Sequence, residues 1–383
     1  MKYEEILVRY GEIFLKSEFV RRIYEKKLIQ NIKFLLKKAG IEFEVYRDRG
    51  RIFIRTDKIQ KACKLLTQVF GIVSVSPCIH LKTSEKSKIT EFFRENYKNF
   101  VKPKQTFAVE VKRVGKHEYS SQELASEIGK VIRRRVNLSR PNVKIWVEVR
   151  GNDTYIYTKK VKGLGGLPVS CSGKVLALIS GGIDSPVAAW LAMKRGCRVV
   201  FIHFHSFPLL SKASMEKTKE LVKILSKYQG KSKVYFVPFA EIQSKIKTLI
   251  PAKCRIVFYR RLMLKISEII AKKENAKALV TGESLAQVSS QTLDNILAIE
   301  EVTKLPILRP LIGMDKAEII ELAKKLKTYE ISIKPQEDCC TLFIPKHPTT
   351  RAKLEIVKKL EKKLKLKKLI EKAIKEAEVV EIS

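Results

Sequence analysis

Two clusters of residues in this 383-residue sequence are of types and spacing that could do chemistry. The first is Ser180-Gly181-Gly182-Ile183-Asp184-Ser185, directly after the apolar run Val175-Leu176-Ala177-Leu178-Ile179 and directly before a helical stretch over 186–194. Paired glycines let a backbone turn tightly and bring its amides close to an anion, while a helix N-terminus aims further unpaired amides and a partial positive charge at the same point. Pro186 suits a first helical turn, where its missing amide costs nothing. The predicted chemistry is phosphate binding. A bare Gly-Gly pair would be an ordinary strand-to-helix turn capped by Asp or Ser; the whole hexapeptide in this position says more. No Gly-Lys-Ser/Thr follows it, so it is not a Walker loop. The second cluster is Cys339-Cys340, between Pro335 and Pro345 in a segment read as a loop. A single cysteine is usually a small buried hydrophobe, which is the reading for Cys63, Cys78, Cys171, Cys197 and Cys254. Adjacent cysteines in a polar loop suit a thiolate or persulfide nucleophile, which must be accessible and stabilised by nearby positive charge.

The elements around these clusters fall into two kinds. From position 174 onward, apolar runs at 175–179, 199–202, 234–237 and 278–280 alternate with helical stretches, the pattern of buried parallel strands in an α/β domain. Before it, a strand at 6–10, a helix at 17–39 and strands at 41–46 and 52–55 make a small α+β unit. A second such unit has helices at 59–70, 86–100 and 121–135 and strands at 107–112, 144–149 and 155–158. Lys162-Gly163-Leu164-Gly165-Gly166-Leu167-Pro168 interrupts all periodicity, as a linker does. The expected domains are 1–57, 58–162, a linker at 163–172, and 173–383. From Arg351 the tail reads as a Lys-rich amphipathic helix on the surface. His203 and His205 flank Phe204 on one strand and so share a face. Two histidines alone make a poor metal site and no Cys-x-x-Cys pair occurs, so no metal ligands are assigned.

Composition narrows the partners. Lys and Arg number 77 against 40 for Asp and Glu, a net charge of +37. Clustered cations neutralise phosphates and release counterions, so a polyanion is the natural partner. A thermophile surface enriches both signs together and leaves the imbalance unexplained. The segment 121–135 presents Lys130, Arg133, Arg134 and Arg135 as candidate contacts to nucleic-acid phosphates. Seven cysteines, an odd number, and the charged opening Met1-Lys2-Tyr3-Glu4-Glu5 point to a reducing, cytoplasmic compartment. No apolar run approaches the roughly 18–20 residues that span a membrane.

The hexapeptide matches the signature Ser-Gly-Gly-x-Asp-Ser, and the chain resembles the ATP pyrophosphatase (PP-loop) superfamily, whose members adenylate a carbonyl or carboxylate oxygen. Further segments resemble the tRNA 4-thiouridine synthetases in order: Gly163-x-Gly165-Gly166-Leu167-Pro168-Val169, His203-Phe204-His205-Ser206, Gly282 through Thr292, Arg309-Pro310-Leu311 with Asp315-Lys316, and Glu337-Asp338-Cys339-Cys340. The resemblance implies a catalytic domain of adenine nucleotide alpha hydrolase-like type, with a parallel sheet, behind ferredoxin-like and THUMP RNA-binding domains. Two departures stand out. Ala286 replaces a residue that is often Gly in the family, a change expected to be mild. No rhodanese domain precedes Ser383, so sulfur delivery is expected to differ from that of members which have one.

By the same resemblance ATP is contacted by Leu178, Ile179, Ser180, Gly181, Gly182, Asp184, Ser185, His203, Phe204, Arg260, Gly282 and Gln291, with His203 and Phe204 near the adenine. Asp184 orients Mg2+ or pyrophosphate, or else caps its helix. Lys316 stabilises developing charge, where a lysine at a helix start would otherwise be solvated. Ungapped carry-over from Asp315-Lys316 places the persulfide on Cys339, with Cys340 the alternative. The implied reaction adenylates O4 of uridine at tRNA position eight, then displaces AMP with persulfide sulfur. The implied partners are tRNA, a cysteine desulfurase as donor and the sulfur-carrier protein of thiamine biosynthesis, and a homodimer is allowed. Two other readings share features with this one: a small-molecule PP-loop amidotransferase or ligase, which has no need of basic N-terminal domains, and a non-catalytic RNA-binding protein.

Overall fold

The computed structural model describes residues 3–48, 50–335, 342, 343, 345 and 347–383. The chain divides into two compact units, Met1–Pro168 and Val169–Ser383. In the first, β1 (Glu5–Tyr10), α1 (Glu18–Lys38), β2 (Glu44–Asp48), β3 (Arg51–Arg55), α2 (Ile59–Leu66) and β4 (Ile72–Leu81) follow one another. Their strands lie in the order β2-β3-β1-β4, all antiparallel, which is the ferredoxin-like arrangement. Then come α3 (Lys86–Phe100), β5 (Phe107–Val114), α4 (Ser121–Val131), β6 (Val143–Arg150), β7 (Asp153–Tyr157) and the short β8 (Val161–Lys162). The sheet continues as β4-β7-β6-β5, so β4 serves both halves.

Sequence patterning left β4 unassigned because Pro77 sits inside it, and proline cannot donate to a ladder. The structure accommodates it where β4 pairs with β1 alone. Ile6 stands opposite Pro77, whereas β7 engages only Ile79 to Leu81 and β8 only Ser74 and Val75. Helix α3 buries Ile89, Phe93, Tyr97 and Phe100, at helical spacing, against α4 and the strands behind it. Helix α4 opens on a Ser120–Glu123 capping box. It stops at Val131, four residues short of its expected end, because the chain turns extended at Ile132 to pair with β5: the Phe107 amide donates to the Arg135 carbonyl and the Asn137 amide to that of Phe107. Arg133, Arg134 and Arg135 therefore lie beyond the helix rather than on it.

The second unit contains β9 (Lys174–Leu178), α5 (Asp184–Lys194), β10 (Arg198–His205), α6 (Ala213–Gln229), β11 (Ser232–Pro238), α7 (Ala240–Leu249), α8 (Arg255–Lys273) and β12 (Leu279–Val280). They are followed by α9 (Leu293–Glu300), β13 (Ile307–Leu308), α10 (Lys316–Leu326), α11 (Tyr329–Ser332), α12 (Leu354–Glu361), α13 (Lys367–Lys375) and β14 (Glu378–Ile382). The strand order is β13-β12-β9-β10-β11-β14, parallel except for β14. From β9 the chain winds one way to β10 and β11, then returns to place β12 and β13 on the other side. Ligands bind at such a switch point, outside the carboxyl ends of the strands, and here those ends belong to β9 and β12.

The tail corrects the expectation of one solvated helix. Val357, Leu364, Leu366 and Ala373 enter the core, buried Arg261 pairs with Glu361 and Glu301, and β14 runs antiparallel along Ser232 to Phe236 of β11. The many lysines outside these few apolar positions hid the pattern. None of the described helices is long and apolar enough to cross a membrane.

Candidate active site

The turn after β9 is closed by its own Ser180 and Ser185 and braced by Ser332 of α11. The Ser180 amide donates to Ser185 Oγ at 2.9 Å, the Gly182 amide to Ser180 Oγ at 3.3 Å, and Ser332 Oγ to the Gly182 carbonyl at 3.2 Å. Ile183, at the cap position of α5, provides no side-chain acceptor. The leading amides of the helix thus face the turn without a capping group, as an anion site requires. Asp184 is the first helical residue and not the cap. Its carboxylate accepts from Lys316 Nζ at 2.6 Å and from Gln287 Nε2 at 3.4 Å. Lys316 is brought there by a capping box, Asp315 with Glu318, that starts α10 immediately before it. It is half-exposed but ion-paired rather than simply solvated.

Beside the turn lies a cavity of about 200 Å³. Leu178, Ile179, Ser180, Gly182, Asp184, Ser185, His203, Phe204, Arg260, Gly282 and Gln291 all line it, together with apolar Ile202, Met263, Leu264 and Ile299. Of the residues assigned to nucleotide contact only Gly181 stands back from this lining, within the same turn. Buried His203 ties the end of β9 to α6: Nδ1 donates to the Ile179 carbonyl at 2.9 Å and Nε2 meets Ser214 Oγ at 3.2 Å. His205 lies outside the cavity lining; burial, with His203 and Lys212 nearby, pushes its imidazole down to about 4. Among the described residues no group of three or more His, Cys, Asp or Glu could hold a metal ion.

Gly282, just past β12, is where the two strand ends meet. A Cβ there would stand 2.7 Å from the Ser185 amide nitrogen and 2.9 Å from Ser185 Cα, both backbone atoms that cannot swing away. Gly282→Ala is expected to force the loops apart at an overpacking cost of about 1–3 kcal/mol. The loss should be read as weaker ATP binding with a lowered Tm. An unchanged Tm together with unchanged ATP affinity would contradict this.

Sequence reasoning quoted Glu283 and Arg309 inside motifs without giving them work. Glu283 is buried and bridges two guanidiniums, Arg260 at 2.6 Å and Arg309 at 2.8 Å, and accepts from Thr281 Oγ1 at 2.9 Å. Arg309 also pairs with Glu300 at 2.8 Å. Burial alone would raise the Glu283 pKa; the two arginines outweigh it and hold the carboxyl below its ordinary value. The carboxylate in turn fixes Arg260 at the cavity wall. A glutamate between Gly282 and Ser284 in an otherwise uncharged stretch was the available signal. The αL conformation of Ala286, with φ of +61°, likewise gives the physical reason for glycine at that position.

In the first unit, Lys130 is exposed and paired with Glu127 at 2.9 Å. Arg133 and Arg135 are exposed, whereas Arg134 donates to the Val101 carbonyl at 3.3 Å and stacks over Tyr97. Cys339 and Cys340 lie outside the described residues. The chain just beyond them is described: the Phe343 carbonyl accepts from Arg255 Nη1 at 3.4 Å and the Thr349 amide donates to the Lys253 carbonyl at 2.8 Å, on either side of Cys254.

A doubly wound parallel sheet, with a self-closed Gly-Gly turn and an apolar-floored cavity at its switch point, defines the PP-loop class of nucleotide domain. The family model described as Thiamine biosynthesis protein (ThiI) matches residues 170–366, the ThiI ferredoxin-like domain matches 5–76 and the THUMP domain matches 86–159. The chain belongs to the ThiI family. It is 43% identical to a probable tRNA sulfurtransferase of Halothermothrix orenii, over 99% of each chain. It is also 43% identical to one of Acetivibrio thermocellus, over 99% of this chain and 98% of the relative. The crystal structure of a 4-thiouridine synthetase–RNA complex with bound ATP superposes with a TM-score of 0.88 at 35% identity, covering all of both chains.

Proposed function

We propose that this chain is an ATP-dependent tRNA uracil 4-sulfurtransferase of the cytoplasm that makes 4-thiouridine at position eight of tRNA. The observation that carries the reading is the phosphate turn and cavity at the switch point, held in one chain with a basic N-terminal unit. Similarity over the whole chain to tRNA sulfurtransferases and to an RNA- and ATP-bound 4-thiouridine synthetase supports it.

A carbonyl oxygen is a poor leaving group until it is esterified. In this reading the adenine rests on the apolar floor beside His203 and Phe204, and the phosphates lie at the turn of Ser180 to Ser185. O4 of uridine attacks the α-phosphorus and pyrophosphate leaves into the turn. The terminal sulfur of a persulfide on Cys339, loaded by a cysteine desulfurase, then attacks C4. The C4–O4 bond breaks and AMP departs with the oxygen. A second thiol attacks the Cys339 sulfur, releasing thiouridine and leaving a disulfide that a dithiol reductant reopens. Mg2+ is held by few carboxylates and by substrate phosphates, and Asp184, at the mouth of the turn, fits that requirement. When bound the ion would neutralise phosphate charge. Lys316 stabilises charge on the phosphates as they separate. The same chemistry would also serve sulfur transfer to the sulfur-carrier protein of thiamine biosynthesis, a second role that the family model's description as a thiamine biosynthesis protein supports.

The test is the mass of tRNA after incubation with ATP, cysteine and a cysteine desulfurase: an oxygen-to-sulfur increase is expected. Absent, salt-insensitive tRNA affinity would favour a small-molecule ligase, and no RNA-dependent pyrophosphate release would favour an inert binder. Exposed Arg133 and Arg135 are proposed to contact tRNA phosphates, with Lys130 beside them, whereas Arg134 is largely structural. Arg133→Ala with Arg135→Ala is expected to weaken tRNA binding and lower the slope of log affinity against log salt by about 1 per arginine. An unchanged slope would place the RNA elsewhere.

A further inference from the structure

Among the described residues Lys217, on α6, is the one buried lysine, 8% exposed, and no step of the reaction above uses it. Its ammonium donates to the Lys334 carbonyl at 2.8 Å. Glu220, three positions on and so on the same helix face, holds the Lys334 ammonium at 2.8 Å. Helix α6 thus grips both the backbone and the side chain of one residue. The segment it grips is already fastened to the phosphate turn at two points. Helix α10 begins at Lys316, paired with Asp184, and α11 ends with Ser332 Oγ on the Gly182 carbonyl at 3.2 Å. Between them Lys327 takes the left-handed conformation, φ +64°, and the Thr328 amide donates back to the Ala323 carbonyl at 3.0 Å. Lys334 follows Ser332 by two residues, and Cys339 follows Lys334 by five. Burying an ammonium is costly, whereas a carbonyl in an exposed turn such as this one can be left to water. The cost makes sense where the position of the chain matters.

We propose that Lys217 is a positioning residue for the sulfur-transfer half of the reaction: by holding the Lys334 carbonyl it fixes, beside the phosphate turn, the point from which the chain runs to Cys339. The proposal rests on the function inferred above and assigns to it a residue that acts on the second half-reaction alone. Five residues span at most about 18 Å, so the hold on Lys334 limits the distance between the turn and the thiol. Adenylation draws on the cavity, the turn and Lys316, and Lys217 is not part of the cavity lining. Sulfur transfer needs, in addition, a nucleophile aligned on C4 of the adenylated uridine, where a misplacement of about 1 Å costs on the order of a hundredfold in rate.

The experiment uses Lys217→Met in the whole chain, which keeps an apolar stem and removes the ammonium, and reads both half-reactions with tRNA, ATP, cysteine and a cysteine desulfurase. tRNA-dependent pyrophosphate release should stay at the wild-type rate, as should the persulfide content of the loaded protein. Thiouridine formed per pyrophosphate released should fall roughly ten- to a hundredfold. The adenylate left waiting is attacked by water at C4, which breaks the C4–O4 bond and returns uridine and AMP. A merely structural lysine would lower Tm and both half-reactions together. That outcome, an unchanged ratio, or a fall accounted for by lost persulfide loading would overturn the proposal. Should Lys217→Met fail to fold, Glu220→Lys, at an exposed position, carries the test. Two ammoniums side by side would displace Lys334 and lower the same ratio, by less, and an unchanged ratio there counts against the positioning role. A wild-type protein that forms no thiouridine and releases no pyrophosphate on tRNA fails the function itself, an outcome distinct from an active enzyme indifferent to Lys217.

Discussion

Asp184→Ala is expected to lower tRNA-dependent pyrophosphate release roughly a hundred- to a thousandfold, the usual effect of deleting one preorganised charge at a transition state. Its position and two contacts argue for an effect of that size. Asp184 occupies the first turn of α5, directly after the glycine pair; its carboxylate holds Lys316 at 2.6 Å; and it orients Gln287. Its removal frees Lys316 to wander and takes away the carboxylate suited to a phosphate-bound Mg2+. tRNA affinity should change little, since the basic residues proposed to bind RNA lie in the N-terminal unit. Asp184→Asn keeps the size and the bond to an ammonium while discarding the charge, and should fall almost as far. Wild-type rates of pyrophosphate release in either variant would sink the assignment.

Cys339→Ser is expected to abolish thiolation altogether while leaving ATP and tRNA binding intact, because neither depends on the thiol. A persulfide that attacks C4 leaves its carrier bonded to the transferred sulfur, so a second thiol must release the product. Cys340 is next in sequence, but a disulfide between neighbours closes a strained eight-membered ring. Cys254 is the described alternative. It is half-buried between Lys253 and Arg255, which bond to Thr349 and Phe343 just beyond the cysteine pair. Burial raises its thiol pKa, opposed in part by Lys253, so it would attack slowly unless deprotonated by a partner. Cys340→Ser should retain a single turnover if Cys340 only resolves, and should lose even that if it carries the persulfide. Cys254→Ser should slow multiple turnover and spare the first. Full multiple turnover in the Cys339→Ser, Cys340→Ser double variant would refute the persulfide route and leave free sulfide attacking the adenylate.

The sequence by itself determined what is local. Strand, glycine pair and helix are contiguous from Lys174 to Lys194, so the phosphate turn was legible as chemistry before any fold was known. The buried strands β9, β10 and β11 announced a parallel sheet through unbroken apolar runs, because both their faces are covered. Helix α3 was placed by its own periodicity. Strand β4 and the tail were not legible, one masked by Pro77 and the other by lysines around a few apolar anchors.

What only the tertiary structure decided is which distant groups meet. Lys316 reaches Asp184 across 132 residues and Gln287 reaches it across 103, while Glu283 gathers Arg260 and Arg309 from separate segments. No residue spacing encodes these meetings. They follow from the winding of the sheet, which reverses at β9 and brings the loops after β9 and β12 to the same end, close enough that only glycine fits at 282. Burial then sets the roles: a glutamate that would be a solvated charge in an open loop becomes, between two guanidiniums in the interior, the group that holds an arginine at the cavity wall.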